Sequence, residues 1–197
     1  KKETSKKSPF FLSYLITDPI EFGSDIKIFS KNLTKSLSKH NVDIVCFRDK
    51  TTNDIEPLAK VCIDICKRFK IPKVLINSNI ELALKLKFDG VHLTSTQFNN
   101  ITTAKEKNLF TIISTHTEEE IQNAIYQNTD AITYSPIFFK KNKNKPIGID
   151  KLKSVVKSYQ SDDFMIIALG GIITNQQIDD IKDTNVNGFA SIRYFSS

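Results

Sequence analysis

Two hydrophobic patterns alternate along the chain. Short, nearly continuous apolar runs give way to longer stretches in which apolar residues recur every three or four positions. The first pattern suits a strand buried on both faces, the second an amphipathic helix. Residues 74–97 show both. They predict a strand over 74–77, a helix over about 80–87, a strand over 88–93, and a polar cluster, Thr94-Ser95-Thr96-Gln97. Strand, helix and strand with almost no loop form a βαβ unit, which requires parallel pairing and a right-handed crossover.

The same rhythm runs through the rest of the chain. A strand over 12–17 precedes a helix over about 24–40, and a strand over 43–48 precedes a helix over about 54–69. A strand over 109–114 leads to a helix near Thr117, where Thr117-Glu118-Glu119-Glu120 has the spacing of a capping box. Residues 131–134 form the next strand, followed by a basic loop and a helix over 150–159. A strand over 164–169 ends in Gly170-Gly171 before a helix opening at Thr174, and residues 188–192 supply the last strand. Eight strands interleaved with helices predict an α/β fold, a (β/α)8 TIM barrel formed as a single domain over 1–197, with a basic N-terminal arm over 1–10. An open doubly wound sheet would place a Gly-rich turn after its first strand, whereas Thr17-Asp18-Pro19 stands there. With four residues after Arg193, the final helix is expected to be truncated or missing. The gap between last and first strands then needs the arm or a partner subunit as cover, and bare apolar strand surface favours a homodimer.

Composition narrows the function classes. The formal charge is +6, but the lysines are spread along the outer faces of helices, which excludes nucleic acid as the expected partner. The cluster Lys140-Lys141-Asn142-Lys143-Asn144-Lys145 is denser; it suits a phosphate grip or a mobile basic loop. Three cysteines make no disulfide framework and point to a reducing, cytoplasmic setting. Cys62 and Cys66 lie four apart on a helix without a His or acid to complete a metal site, so they read as core. The apolar run over 10–16 is short and lacks a small-residue cleavage site, so no signal peptide is expected. No segment approaches the roughly 20 apolar residues of a membrane span, which leaves no membrane partner.

Period-two alternation places Ile44, Cys46, Arg48 and Lys50 on one face, and Ile112, Ser114 and His116 on another. Asn77, His92 and Gly170-Gly171 end their own strands. These polar groups converge on the carboxyl-end mouth, where barrels bind ligands. Two basic side chains, a small-residue turn and a basic loop describe an anion site, most simply for a phosphate. His116 is the acid–base candidate, since an imidazole titrates near pH ~6.5. A histidine bonding locally at a helix start fits the same position. His92, between Val91 and Leu93, reads as structural, and His40 as surface.

The ordered runs Leu15-Ile16-Thr17-Asp18, Phe47-Arg48-Asp49-Lys50, Leu75-Ile76-Asn77, Asp89-Gly90-Val91-His92-Leu93 and Ser114-Thr115-His116-Thr117 resemble one family. Ser135-Pro136-Ile137-Phe138, Ile147-Gly148-Ile149 and Ala168-Leu169-Gly170-Gly171-Ile172 continue the match. The chain is similar to the thiamine phosphate synthase and TenI-type thiazole tautomerase superfamily, whose fold is a (β/α)8 barrel. The resemblance implies that Arg48, Lys50, Asn77, Ser114 and Lys143 bind substrate. It further implies that Gly148, Gly170, Gly171, Ile192 and Arg193 surround a phosphate. Synthases of the family hold Mg²⁺ with two Asp side chains; Ser78 and Gln97 stand at those positions here, so no cofactor is expected. Cys46 replaces a family Gln, Lys140 and Asn142 replace paired threonines, and Arg193-Tyr194 replaces small residues. These departures point to a metal-independent tautomerase acting on a thiazole carboxylate phosphate, with His116 moving the ring proton. The alternatives are a divergent thiamine phosphate synthase and a catalytically silent barrel that binds a thiamine-related phosphate or a partner protein.

Overall fold

Eight parallel strands close on themselves in chain order. They are β1 (Leu12–Ile16), β2 (Ile44–Phe47), β3 (Lys73–Asn77), β4 (Gly90–Leu93), β5 (Phe110–Thr115), β6 (Ala131–Tyr134), β7 (Met165–Leu169) and β8 (Gly188–Ser191). β8 pairs with β1 in the register Leu12 to Gly188, which completes the barrel. The computed structural model describes residues 10–197, so the expected basic arm, Phe10 apart, lies outside the described residues.

Alternation splits the core in two. Leu12, Tyr14, Ile16, Ile44, Cys46, Leu75, Ile112 and Ile167 fill the inside of the barrel. The opposite parity, including Leu15, Val45, Phe47, Ile76, Val91 and Ile113, packs against the helices. Strands with both faces covered need no polar alternation, which is why the runs read as continuously apolar.

The amino ends of the strands share a device. Asp43, Asp89, Asp130 and Asn187 each stand just before an even-numbered strand. Each side chain accepts the amide of the preceding odd-numbered strand: Ser13 at 2.8 Å, Val74 at 2.7 Å, Thr111 at 2.8 Å and Ile166 at 2.9 Å. Donors at the bottom rim are thereby satisfied where the ladder has not yet begun.

The helices are α1 (Pro19–Phe22), α2 (Ile26–Lys39), α3 (Glu56–Arg68), α4 (Ile80–Leu86), α5 (Ile101–Glu106), α6 (Glu118–Tyr126), α7 (Ile149–Tyr159), α8 (Asn175–Lys182) and α9 (Arg193–Ser196). Asp25, Asn79, Thr117 and Thr174 cap α2, α4, α6 and α8 with their side chains. Only Thr174 forms a full capping box, with Gln177. At α6 the Glu120 carboxylate accepts the backbone amide of His116 instead, one residue before the cap. Cys62 and Cys66 are buried in α3 as free thiols, in keeping with a core role. Among the described residues, no helix is long and apolar enough to cross a membrane.

The final helix is truncated to the four residues of α9, and the chain itself covers the gap beside it. Phe195 stacks on Phe189 with centroids 5.6 Å apart, and Phe11 lies over Phe189 at 5.8 Å. His40, expected at the surface, is half-buried against Tyr194 and Phe195. Phe11 and α9 thus pack over the seam between β8 and β1 from within the chain. The exposed-strand argument for a homodimer loses its basis, since Phe189 and Phe195 are buried within one chain.

Candidate functional site

At the carboxyl ends of the strands the barrel opens into a cavity of about 550 Å³. Arg48, Lys50, Asn77, Ser114, His116, Lys143, Gly170 and Ile192 line it, so eight of the expected site residues share one space. Gly148, Gly171 and Arg193 do not line it. Gly148 precedes α7, and its amide donates to the Ile137 carbonyl at 3.0 Å. Arg193 is exposed at the first position of α9. Gly171 lies one residue beyond the lining, at φ +70°, with the Phe139 carbonyl oxygen only 2.6 Å from where a Cβ would stand. That close approach explains a glycine there.

The electrostatics are one-sided. Arg48, Lys50, Lys140 and Lys143 line the cavity, and among the described residues no Asp or Glu does, although the Asp18 charge reaches Lys140. Burial, reinforced by Arg48 and Lys143, lowers the Lys50 pKa. Burial and the charges of Lys143 and Arg48 likewise lower Lys140. An anionic ligand relieves this repulsion, so the cavity is built to receive negative charge. Asp49 braces the loop that carries Arg48 and Lys50, accepting the Thr51 amide at 2.8 Å and the Thr52 hydroxyl at 2.6 Å.

His116 stands at the rim, exposed and facing the cavity. Its Nδ1 lies 2.8 Å from the carbonyl oxygen of Ser135. A carbonyl only accepts, so Nδ1 carries a proton, and in the neutral ring Nε2 is the bare nitrogen. The Glu120 carboxylate holds the His116 backbone from the other side. The helix-start bonding considered for this histidine is thus made by its backbone, and the imidazole is left for other work.

Deeper in the barrel, Tyr14 Oη lies 2.6 Å from His92 Nδ1, and His92 Nε2 lies 3.0 Å from Ser114 Oγ. His92 is buried yet contributes to the cavity floor. Burial, with Arg48 and Lys50 nearby, pushes its imidazole down to about 3, so it is neutral. Burial also raises the Tyr14 phenol and pushes the Cys46 thiol up to about 12. His92 was read from sequence as structural, and Lys140 as part of a basic loop suited to gripping phosphate. His92 shares inward parity with Gly90, a signal hidden by the apolar neighbours Val91 and Leu93.

Ser78 and Gln97, at the positions where the resemblance puts the synthases' metal ligands, meet each other. Ser78 Oγ is 2.8 Å from Gln97 Oε1, and Gln97 Nε2 donates to the Ser78 carbonyl at 3.2 Å. Gln97 Oε1 also accepts the Thr94 amide at 3.0 Å. Neutral groups already bonded to each other do not fit Mg²⁺, which favours anionic oxygen. Among the described residues, no group of three or more His, Cys, Asp and Glu is placed to hold a metal ion.

The profile of the TMP-TENI family, thiamine monophosphate synthase, matches residues 13–195. The chain belongs to this family. A candidate thiamine-phosphate synthase 2 of Aquifex aeolicus is 33% identical over 187 residues, covering 92% of this chain and 96% of that protein. A thiamine-phosphate synthase of Latilactobacillus sakei is 31% identical over 163 residues, covering 76% of this chain and 70% of that protein. Among solved structures, the thiamine phosphate pyrophosphorylase of Pyrococcus furiosus superposes with a TM-score of 0.76 at 20% identity, over 92% of this chain and 85% of that one. At that identity the superposition speaks for the fold, the (β/α)8 barrel of the TMP-TENI family.

Proposed function

We propose that this TMP-TENI protein is a metal-independent thiazole tautomerase acting on a thiazole carboxylate phosphate. The observation that carries the reading is the state of His116. Its Nδ1 proton is committed to the Ser135 carbonyl at 2.8 Å, so in the neutral ring Nε2 is the nitrogen left to accept a proton at the cavity rim. In the reaction, Nε2 takes a proton from a ring carbon of the bound thiazole derivative. The electron pair left behind spreads through the conjugated system, and the imidazolium returns the proton to a second carbon of that system. No bond to a leaving group breaks, so no metal is needed to neutralise one.

The cavity supports this assignment in two further ways. Its four cations suit a ligand bearing both a phosphate and a carboxylate. Gly170 and Ile192 also line it, after β7 and β8, where the family resemblance expects the phosphate. The Ser78–Gln97 bond weighs against a reaction that expels pyrophosphate with Mg²⁺.

A second reading, thiamine phosphate synthase, draws on the names of the relatives and on Arg48, Lys50 and Lys143, which face the cavity together. Assaying purified protein for both reactions, with and without Mg²⁺, separates the two. Tautomer conversion that persists in EDTA supports the proposal. Mg²⁺-dependent formation of thiamine phosphate, with no tautomer conversion, overturns it.

A further inference from the structure

β3 ends at Asn77, and the next residue, Ser78, turns into the left-handed region at φ +66°. Glycine and asparagine tolerate that region, whereas it is costly for serine, so surrounding contacts have to hold it there. Three contacts do so. The Ser78 amide donates to the His92 carbonyl at 2.9 Å, tying it to β4. The Ser78 carbonyl accepts from Gln97 Nε2 at 3.2 Å, and the Ser78 hydroxyl donates to Gln97 Oε1 at 2.8 Å. Gln97 Oε1 also accepts the Thr94 amide at 3.0 Å. The two backbone groups fix the orientation of this carboxamide. A backbone amide only donates and a backbone carbonyl only accepts, so Oε1 faces Thr94 and Nε2 faces Ser78. A carboxylate in that place would lack the donor, and an apolar side chain would lack both ends.

Asn77, Thr94 and Ser95, the residues beside these bonds, line the ligand cavity. We infer that Gln97 is a positioning residue, which with Ser78 forms a neutral clamp that holds Asn77 against the Thr94–Ser95 segment and so presets this wall of the cavity without a divalent cation. Released from Gln97, the Ser78 turn is free to relax its strained φ, and the adjoining Asn77 peptide moves with it. Groups that are already fixed lose less freedom when a ligand arrives, so the clamp favours binding. Along this wall the ligand meets the neutral groups of Asn77 and Ser95, and its negative charge is left to Arg48, Lys50, Lys140 and Lys143 in the same cavity. The ligand class follows: one that brings its anionic groups bare and not as a metal complex. The identity of the ligand rests on the proposed tautomerase reading, whereas the clamp stands on geometry alone.

Two measurements test it. The first needs no ligand: amide hydrogen exchange followed by NMR. Gln97→Met removes the acceptor of the Thr94 amide, which should then exchange about 10-fold faster, the scale of one lost hydrogen bond. Unchanged exchange overturns the clamp whatever ligand the protein binds. The second is a double-mutant cycle with Asn77→Ala, read as affinity for the thiazole carboxylate phosphate in EDTA. Gln97→Met should weaken binding by about 10-fold in the parent protein. Beside Asn77→Ala most of that loss should vanish, because the group being positioned is gone. Losses that simply multiply, or a Gln97→Met protein of parental affinity, overturn the positioning role. Replacing EDTA by Mg²⁺ should leave the parent affinity unchanged, and tighter binding in Mg²⁺ would overturn the claim that the wall is preset without a cation. If Gln97→Met fails to fold, Gln97→Glu decides: it keeps the acceptor for Thr94 but sets a carboxylate against the Ser78 carbonyl, so it too should weaken binding in a way that Asn77→Ala abolishes, and parental affinity overturns the inference. Failure of the parent protein to bind this compound would defeat the proposed function, while the exchange rates would still judge the clamp.

Discussion

The hydroxyl of Ser78 and the side-chain amide oxygen of Gln97 lie 2.8 Å apart, tying the loop after β3 to the loop after β4. A neutral hydrogen bond occupies the place where the family resemblance locates a carboxylate pair. Mg²⁺ is therefore expected not to bind tightly there. Titration calorimetry should give no stoichiometric Mg²⁺ binding for the parent protein, whereas Ser78→Asp/Gln97→Asp should create a measurable site. Tight binding by the parent protein would restore the synthase reading.

His92 makes stability depend on pH. Its folded-state pKa is about 3, against ~6.5 for an unperturbed histidine. Between those values the unfolded chain binds the proton and the folded chain does not. Stability is therefore fully present above pH ~6.5 and falls as the pH drops, by up to about 1.4 kcal/mol per pH unit. Urea unfolding between pH 6.5 and 4.5 should show this slope in the parent protein and a shallower one in His92→Gln. Equal slopes would mean that the imidazole does not lose its proton affinity on folding.

At the opposite rim, Asp89→Ala should cost about 1–3 kcal/mol, because the Val74 amide loses its 2.7 Å acceptor. Asp89→Asn keeps an acceptor and should cost less. Denaturation midpoints compare the two. The turn glycines should differ in a similar way. Gly148 has φ +82° and open space where a Cβ would stand, so Gly148→Ala is expected to cost only about 1 kcal/mol of backbone strain. At Gly170, a Cβ would stand 2.6 Å from the Pro136 Cα, so Gly170→Ala should destabilise more and weaken inorganic phosphate binding.

Strand periodicity located all eight strands, because a barrel strand covered on both faces reads as a nearly continuous apolar run. The weaker helices were harder to see. α5 begins Ile101-Thr102-Thr103, a β-branched run with low helix preference, and only burial of Ile101 and Ala104 against the barrel holds it. The strand expected over 88–93 begins later, since Asp89 turns back to accept the Val74 amide. At the mouth, alternation brought Arg48, Ser114 and His116 to one cavity. It put His92 at the mouth but read it as structural, since Val91 and Leu93 beside it face the helices. Arg193, which the family resemblance placed at the phosphate, stands exposed at the start of α9 and does not line the cavity, though its charge reaches Lys140. The covering of the β8–β1 gap depends on Phe11, His40 and Phe195, residues distant in sequence, and local patterns do not report such packing.

The most direct test of the proposed reaction is the turnover of His116→Gln on the thiazole carboxylate phosphate, measured beside its affinity for the same ligand. Gln still forms hydrogen bonds but accepts no proton at neutral pH. The account predicts a folded protein with near-parental affinity and a kcat reduced by roughly 10²–10⁴-fold, the usual range for a lost general base. Unchanged turnover would contradict it, and the barrel would then be a phosphate-ligand binder in which His116 carries no proton.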